Sequence, residues 1–141
     1  MDRVEDCISF LVGKAAQQIT KRARDKLAPH RVTPVQYAAL KVLWERDGLS
    51  SADLGGRLML DSATMTGVID RLETASLIER RSDPEDRRVH RLFLTEQGKA
   101  LQAPLDAAMD ELNAEARTAA GGEMDALSRA LRNLNDLSRW R

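Results

Sequence analysis

The chain is poor in the side chains from which most chemistry is built. It has one cysteine, two histidines and 4% aromatics in 141 residues. A lone Cys7 excludes an intramolecular disulfide and a cysteine-cluster metal site. His30 and His90 have no Cys, Asp or Glu at metal-ligand spacing. Glycine is sparse and never forms a phosphate-cradling loop, because Gly55-Gly56 falls inside a helical stretch and Gly121-Gly122 breaks one. No metal, no cofactor and no enzymatic activity are therefore expected. No apolar run approaches the ~20 residues of a membrane span. The N-terminal "MDRVEDCISF" carries acids where a secretory signal would carry bases. A cytoplasmic protein with no membrane partner is the expectation. An excess of one charge is missing too: 22 basic residues balance 22 acidic ones, so any electrostatic attraction to a partner must come from local patches.

What is present is aliphatic and charged, 43% hydrophobic and 31% Asp, Glu, Lys and Arg, the composition of a helix-rich protein. The length suits one compact domain or two small interlocked lobes. Val4, Ile8, Leu11, Ala15 and Ile19 recur at helical spacing, predicting a first helix over 4–27 that ends before Pro29. Thr33-Pro34 reads as an N-cap followed by the favoured first helical position, opening a buried helix that runs to about Asp47-Gly48. Ser50 and Asp53 have the spacing of a capping box ahead of a short helix that buries Leu54 and Leu58. Asp61 caps the next helix, with Met65, Val68, Ile69 and Leu72 on one side and Ser62, Thr64, Thr66, Gly67, Asp70 and Arg71 elsewhere. Leu77-Ile78 starts a strand, Asp83-Pro84-Glu85-Asp86 turns, and His90 to Leu94 returns. From Thr95 a long alanine-rich helix follows, with Pro104 expected to kink it. After Gly121-Gly122, a last helix aligns Met124, Leu127, Leu131, Leu134 and Leu137.

The stretch "SDPEDRRVHR", Ser82 to Arg91, concentrates cations on a turn. A polar-faced helix followed by such a hairpin suits DNA. The major groove admits one helix whose side chains meet base edges. Ser62, Thr64 and Thr66 supply hydrogen bonds, Arg71 reaches phosphate or guanine, and Gly67 allows close approach. Arg87 and Arg88, with His90 behind them, extend toward the neighbouring minor groove, where narrow A·T tracts attract arginine. The alternative is a solvated charged hairpin on a helical protein-interaction module that binds no DNA. Asp61, Asp70 and Glu73 outnumber Arg71 on the supposed recognition helix, an unhelpful field unless caps and ion pairs absorb them.

"LMLDSATMTGVIDRLETASLIERRSDPEDRRVHRLFLTEQGKAL", Leu58 to Leu101, resembles the MarR family of bacterial transcription regulators. The likeness rests on Asp61, Leu72, Glu73, Leu77, Ile78, Arg80, Asp83, Asp86, Arg88, Leu94, Thr95 and Gly98, and extends to "TPVQYAALKVLWE" before it. Ser76 departs from the pattern, standing where the family usually has glycine. The resemblance implies a mainly α fold with a small β-hairpin. Residues 1-30 would be an N-terminal dimerisation helix, 31-99 a winged helix-turn-helix, and 100-141 C-terminal dimerisation helices. It implies a homodimer on a palindromic operator in double-stranded DNA. Ser62, Thr64, Thr66 and Arg71 would contact DNA, Arg88 would enter the minor groove, and Asp86 would support the wing. The apolar stripes at both chain ends point the same way, because one small chain cannot cover them alone.

The resemblance also implies a repressor released by a small aromatic acid or its coenzyme A thioester. Phe10, His30, Arg31, Tyr37, Trp44 and Met59 are the candidates for holding it, with His30 or Arg31 meeting the carboxylate. Packing is the competing explanation for Phe10, Tyr37 and Trp44. A subgroup of the family senses hydroperoxides through a first-helix cysteine. That position aligns with Ser9 here, and its tyrosine partners with Gly13 and Ala23. Cys7 is the redox alternative, but neighbouring Glu5 and Asp6 are expected to raise its pKa and disfavour thiolate.

Overall fold

A computed structural model describes residues 1–140. Among the described residues, seven α-helices and three short strands follow in the order α1 Ile8–Leu27, α2 Pro34–Glu45, β1 Leu49–Ser50, α3 Ser51–Leu58, α4 Ser62–Thr74, β2 Ile78–Ser82, β3 His90–Leu94, α5 Glu96–Ala100, α6 Gln102–Ala119 and α7 Met124–Asn135. Local chemistry sets most of the boundaries. Thr33 Oγ1 accepts from the Gln36 amide and Gln36 Oε1 accepts from the Thr33 amide, a reciprocal box with Pro34 at the first helical position of α2. Ser50, Asp61 and Thr95 cap α3, α4 and α5 by accepting from the amides of Asp53, Thr64 and Gly98. At Ser50 the bond runs one way only, so the expected reciprocal box with Asp53 is a simple cap.

Four expected boundaries are corrected. The first helix starts at Ile8, not Val4, because Val4–Asp6 forms a 3-10 turn and Cys7 is extended between them. The second helix stops at Glu45, short of Asp47-Gly48, and Gly48 takes φ +78 to turn into β1. The hairpin is two strands of a three-stranded antiparallel sheet in the order β1-β3-β2, with Leu49 opposite Leu92. Two residues are too few to show an alternating pattern in sequence. The expected long helix after Thr95 is interrupted at Leu101, three residues before Pro104, whose missing N–H removes the bond that a continuous helix would make to the Ala100 carbonyl.

The core gathers Leu40 and Leu43 of α2, Leu54 of α3, Met65, Ile69 and Leu72 of α4, and Ile78 and Leu92 of the sheet. It is closed from outside by Leu27 of α1 and Leu105 of α6. α5 crosses the sheet so closely that a Cβ on Gly98 would sit 2.1 Å from the Leu77 carbonyl oxygen, which fixes glycine there. α1 packs on α6 and is tied to it by Lys26, 2.8 Å from Glu115 and 3.2 Å from Glu111. The rest of α1 and α7 has no such cover: Ile8, Leu11 and Ile19 on one, and Leu127, Leu131 and Leu134 on the other, are exposed. An apolar groove of about 760 Å³ runs between them, lined by Ile19, Leu112, Met124, Leu127 and Leu131.

Candidate DNA-binding surface

α4 is amphipathic, as its spacing predicts. Met65, Val68, Ile69 and Leu72 are buried, while Ser62, Thr64, Thr66, Asp70 and Arg71 are exposed. Its start is fixed by Asp61, whose carboxyl is held below the ordinary range by the Thr64 amide and then by the Thr64 hydroxyl. Thr66 donates its hydroxyl hydrogen to the Ser62 carbonyl at 2.9 Å. The Arg71 guanidinium lies back along the helix, 3.6 Å from where a Cβ on Gly67 would be. A methyl group at 67 would make only ordinary contact with it.

The wing is built by two aspartates with different tasks. Asp83 shapes its base: it accepts from the Glu85 amide at 2.8 Å and from Arg91 Nε at 2.7 Å, and Arg91 reaches on to the Gly48 carbonyl at 3.1 Å. Those bonds, the Glu85 amide first and Arg91 second, hold the Asp83 carboxyl low. Asp86 shapes the tip. Its Oδ1 accepts from both the Arg88 amide and Arg88 Nε at 3.1 Å, and Oδ2 accepts from Nη2 at 3.3 Å. The Arg88 side chain and then its amide hold the Asp86 carboxyl low. Arg88 remains 90% exposed even so. Its neighbour Arg87 is exposed and has no carboxylate partner among the described residues.

α4 and the base of the hairpin border a common cleft. Thr66 and His90 line one cleft of about 130 Å³ together with Ser51 and Arg80. Arg71 lines a separate cavity of about 350 Å³ bounded by Thr20 and Arg24 of α1, Thr33 and Gln36 at the start of α2, and Val68. The acids that outnumber cations on α4 have partners. Asp61 is the cap, and Arg80 of β2 pairs with Asp70 and lies 3.9 Å from Glu73. Arg80, Asp83 and Arg91, which brace this surface through ion pairs, have no such role in the expectation from sequence. Alternation along β2 carries the signal for Arg80: it shares a sheet face with buried Ile78 and so turns toward α4.

The six expected effector residues do not converge. Only Tyr37 and Trp44 meet, with ring centroids 6.0 Å apart in an edge-on arrangement. The Tyr37 hydroxyl donates to Asp106 at 2.8 Å and Trp44 Nε1 donates to the Gly98 carbonyl at 3.0 Å. Burial and then the Asp106 hydrogen bond push the Tyr37 phenol well above its ordinary value. Burial opposes charge on Asp106, yet Lys41 at 2.9 Å and Tyr37 hold its carboxyl below the usual range. Phe10 lies under Lys14 on α1, Arg31 and Met59 make left-handed turns at φ 57, and His30 ends a 3-10 turn. None of the six lines the cavity beside Arg71.

The expectation for Cys7 is corrected. Its thiol is lowered, not raised: the Ser9 hydroxyl 3.2 Å away acts first, followed by the amides of Phe10 and Ser9. Cys7 occupies the N-cap of α1, so those unpaired amides face it, a stronger influence than the solvated acids of the preceding turn.

A polar helix packs beside the base of an arginine-tipped hairpin, and the terminal helices leave apolar stripes uncovered. That arrangement is a winged helix-turn-helix. Residues 32–90 match the MarR family. Over 99 residues the chain is 40% identical to the HTH-type transcriptional regulator TtmR of Methylorubrum extorquens, covering 70% of this chain and 51% of that one. The chain thus spans about half the length of that relative. Over 100 residues it is 35% identical to the organic hydroperoxide resistance transcriptional regulator of Bacillus subtilis, covering 71% and 68%. A probable transcriptional regulator from Pseudomonas aeruginosa superposes with a TM-score of 0.87 at 32% identity over 94% of this chain and 99% of that one. BpsR of Bordetella bronchiseptica, whose DNA binding is regulated by 6-hydroxynicotinic acid, gives 0.87 at 25% identity over 96% and 98%. The chain belongs to the MarR family.

Proposed function

We propose that two copies of this chain grip a pseudo-palindromic operator, with α4 of each in a major groove and each wing in the flanking minor groove. The observation that carries it is the wing tip, where Asp86 restrains Arg88 at both backbone and guanidinium while leaving it 90% exposed. An arginine so aimed and so bare suits a narrow groove of negative potential. Ser62, Thr64, Thr66, Gly67 and Arg71 form the major-groove face, and Arg87 and His90 flank Arg88 on the wing. Fluorescence anisotropy with duplexes tiled across the DNA upstream of the gene tests it. One duplex should bind tightly with a steep salt dependence. Uniformly weak binding to every duplex sinks the operator reading.

The ligand-responsive part of the proposal rests on the cavity beside Arg71. Its size suits a small aromatic acid, and Arg24 and Arg71 both line it. A carboxylate held there would engage an arginine of the recognition helix, so ligand and DNA would compete and the repressor would be released. Phenolic acids and their thioesters, screened for lowered DNA affinity, are the test. Wild type should respond and Arg24→Ala should not. A Tyr37→Phe variant should respond like wild type, because Tyr37 is occupied by Asp106. A second reading has its own support. The lowered Cys7 thiol and the organic-hydroperoxide relative favour a redox response. If organic hydroperoxide releases DNA from wild type but not from Cys7→Ser, while acids do nothing, that reading replaces the first.

A further inference from the structure

The recognition helix has the wrong charge for its task. Counting along α4 and its cap, Asp61, Asp70 and Glu73 face Arg71 alone. Asp61 is spent on the Thr64 amide. Asp70 and Glu73 are exposed, with 57% and 44% of their side chains open to solvent. An α4 entering a groove would carry both toward phosphates, where like charges repel.

We propose that Arg80 is a positioning residue that masks these two acids, making α4 electrically acceptable to DNA. Three observations converge on it. Arg80 lies opposite Leu92 in the β2–β3 ladder, on the face that holds buried Ile78, so its stem is directed at α4 and not at the wing tip. Its guanidinium bonds Asp70 through Nη2 and lies 3.9 Å from Glu73 through Nε, meeting both acids from one side chain. And the Arg80 side chain is 33% exposed, less than that of the neighbouring Arg81, which is 58% exposed on the other sheet face and pairs with Glu79. Of two adjacent arginines, one is committed to the recognition helix and the other is not. A planar guanidinium suits this, since its fork can address two carboxylates at once where a lysine offers a point charge.

The inference rests on the DNA-binding reading, and its test separates the two. The probe is a mixed-sequence duplex at low salt, which a DNA-binding protein of this kind binds whatever its operator. If the wild-type dimer does not bind it, the DNA-binding reading fails and the mask fails with it. Given binding, Arg80→Met should weaken it by about tenfold or more, the scale of a lost charged contact. The gap should narrow as salt rises, because the exposed carboxylates repel through screened charge. Adding Asp70→Asn and Glu73→Gln to Arg80→Met should restore affinity to within about threefold of wild type, since the partners form one coupled network. Asp70→Asn with Glu73→Gln alone should bind at least as well as wild type. The mask is overturned if the triple variant stays weak while its circular dichroism and melting match wild type. It is equally overturned if removing the two acids alone costs as much affinity as removing Arg80. Either result would make the ion pairs a brace that holds the wing, not a charge cover.

Discussion

At the scale of single residues, Arg88 and Asp86 should fail in different ways. Arg88→Ala removes a bare cation and should weaken operator binding about ten- to a hundredfold, most on operators with A·T-rich flanks. The slope of log affinity against log salt should flatten by about one unit. Asp86→Ala removes a negative charge near DNA, which simple electrostatics favours, but it also frees the Arg88 amide and guanidinium. The loop must then be ordered on binding, at an entropy cost, so affinity should fall. Tighter binding by Asp86→Ala would show that the wing needs no aiming. Ser76 gives a second residue-scale test. It takes the left-handed conformation at φ 60, as its place in the family pattern implies. A side chain there costs roughly 1 kcal/mol more than glycine. Ser76→Gly should therefore raise the melting temperature by about 2–5 °C, and a melt that does not rise shows the turn is already relaxed.

At the scale of elements, caps and faces were legible in the sequence and exact extents were not. Thr33-Pro34 and Asp61 announced α2 and α4 because capping is local chemistry. The wing was legible because a proline turn lay between two short runs of strand-forming residues. β1 was not, since Leu49–Ser50 becomes a strand only by pairing with β3. Nor was the role of Asp47, which accepts from the Leu94 amide 47 positions away. The direction of the Cys7 shift was missed for a related reason: which amides face a thiol depends on where the helix begins, and that boundary was misplaced by four residues. The effector candidates follow from residue type and a pocket implied by family resemblance, and neither says whether side chains from separate elements converge. The α4 cap also predicts an acid response. Asp61 has a depressed pKa in the fold, so its stabilisation is complete above the ordinary aspartate value near ~4 and is lost as pH falls through the lower folded value. Asp61→Asn keeps a capping oxygen but cannot titrate. Denaturant midpoints of the two proteins should differ at neutral pH and converge in acid. A constant gap would mean that the charge of Asp61 contributes nothing.

At the scale of the whole molecule, the uncovered stripes on α1 and α7 call for a second copy. α7 has no buried residue in the isolated chain, an untenable position for a helix with so many leucines unless another surface covers it. Sedimentation at micromolar concentration should give twice the 15.7 kDa chain mass. Leu131→Glu should move the protein toward monomer and reduce operator binding, because each half-site alone then holds its lobe. A stable, well-folded wild-type monomer would remove the two-fold geometry and the palindrome with it. Within each copy, orientation of the lobe against the long helices runs through Asp106 of α6, which holds Tyr37 and Lys41 of α2.

The two tryptophans divide the molecule into separately observable halves. Trp44 is half-buried in the lobe with its indole N–H donating to Gly98, whereas Trp140 is 63% exposed beyond α7. Their emission should therefore carry two colours, a blue component from Trp44 and a red one from Trp140. In a Trp44→Phe variant the remaining indole, which donates to the Leu134 carbonyl, reports on the end of α7 and on the seam a second copy would form there. Its spectrum should shift to the blue as dilute chains associate, and a titration of wavelength against concentration would yield the dissociation constant without any label. In Trp140→Phe the surviving indole is blind to that event and follows loosening of the lobe. Heating the pair side by side would show whether the seam opens before the lobe melts or whether both are lost in one transition.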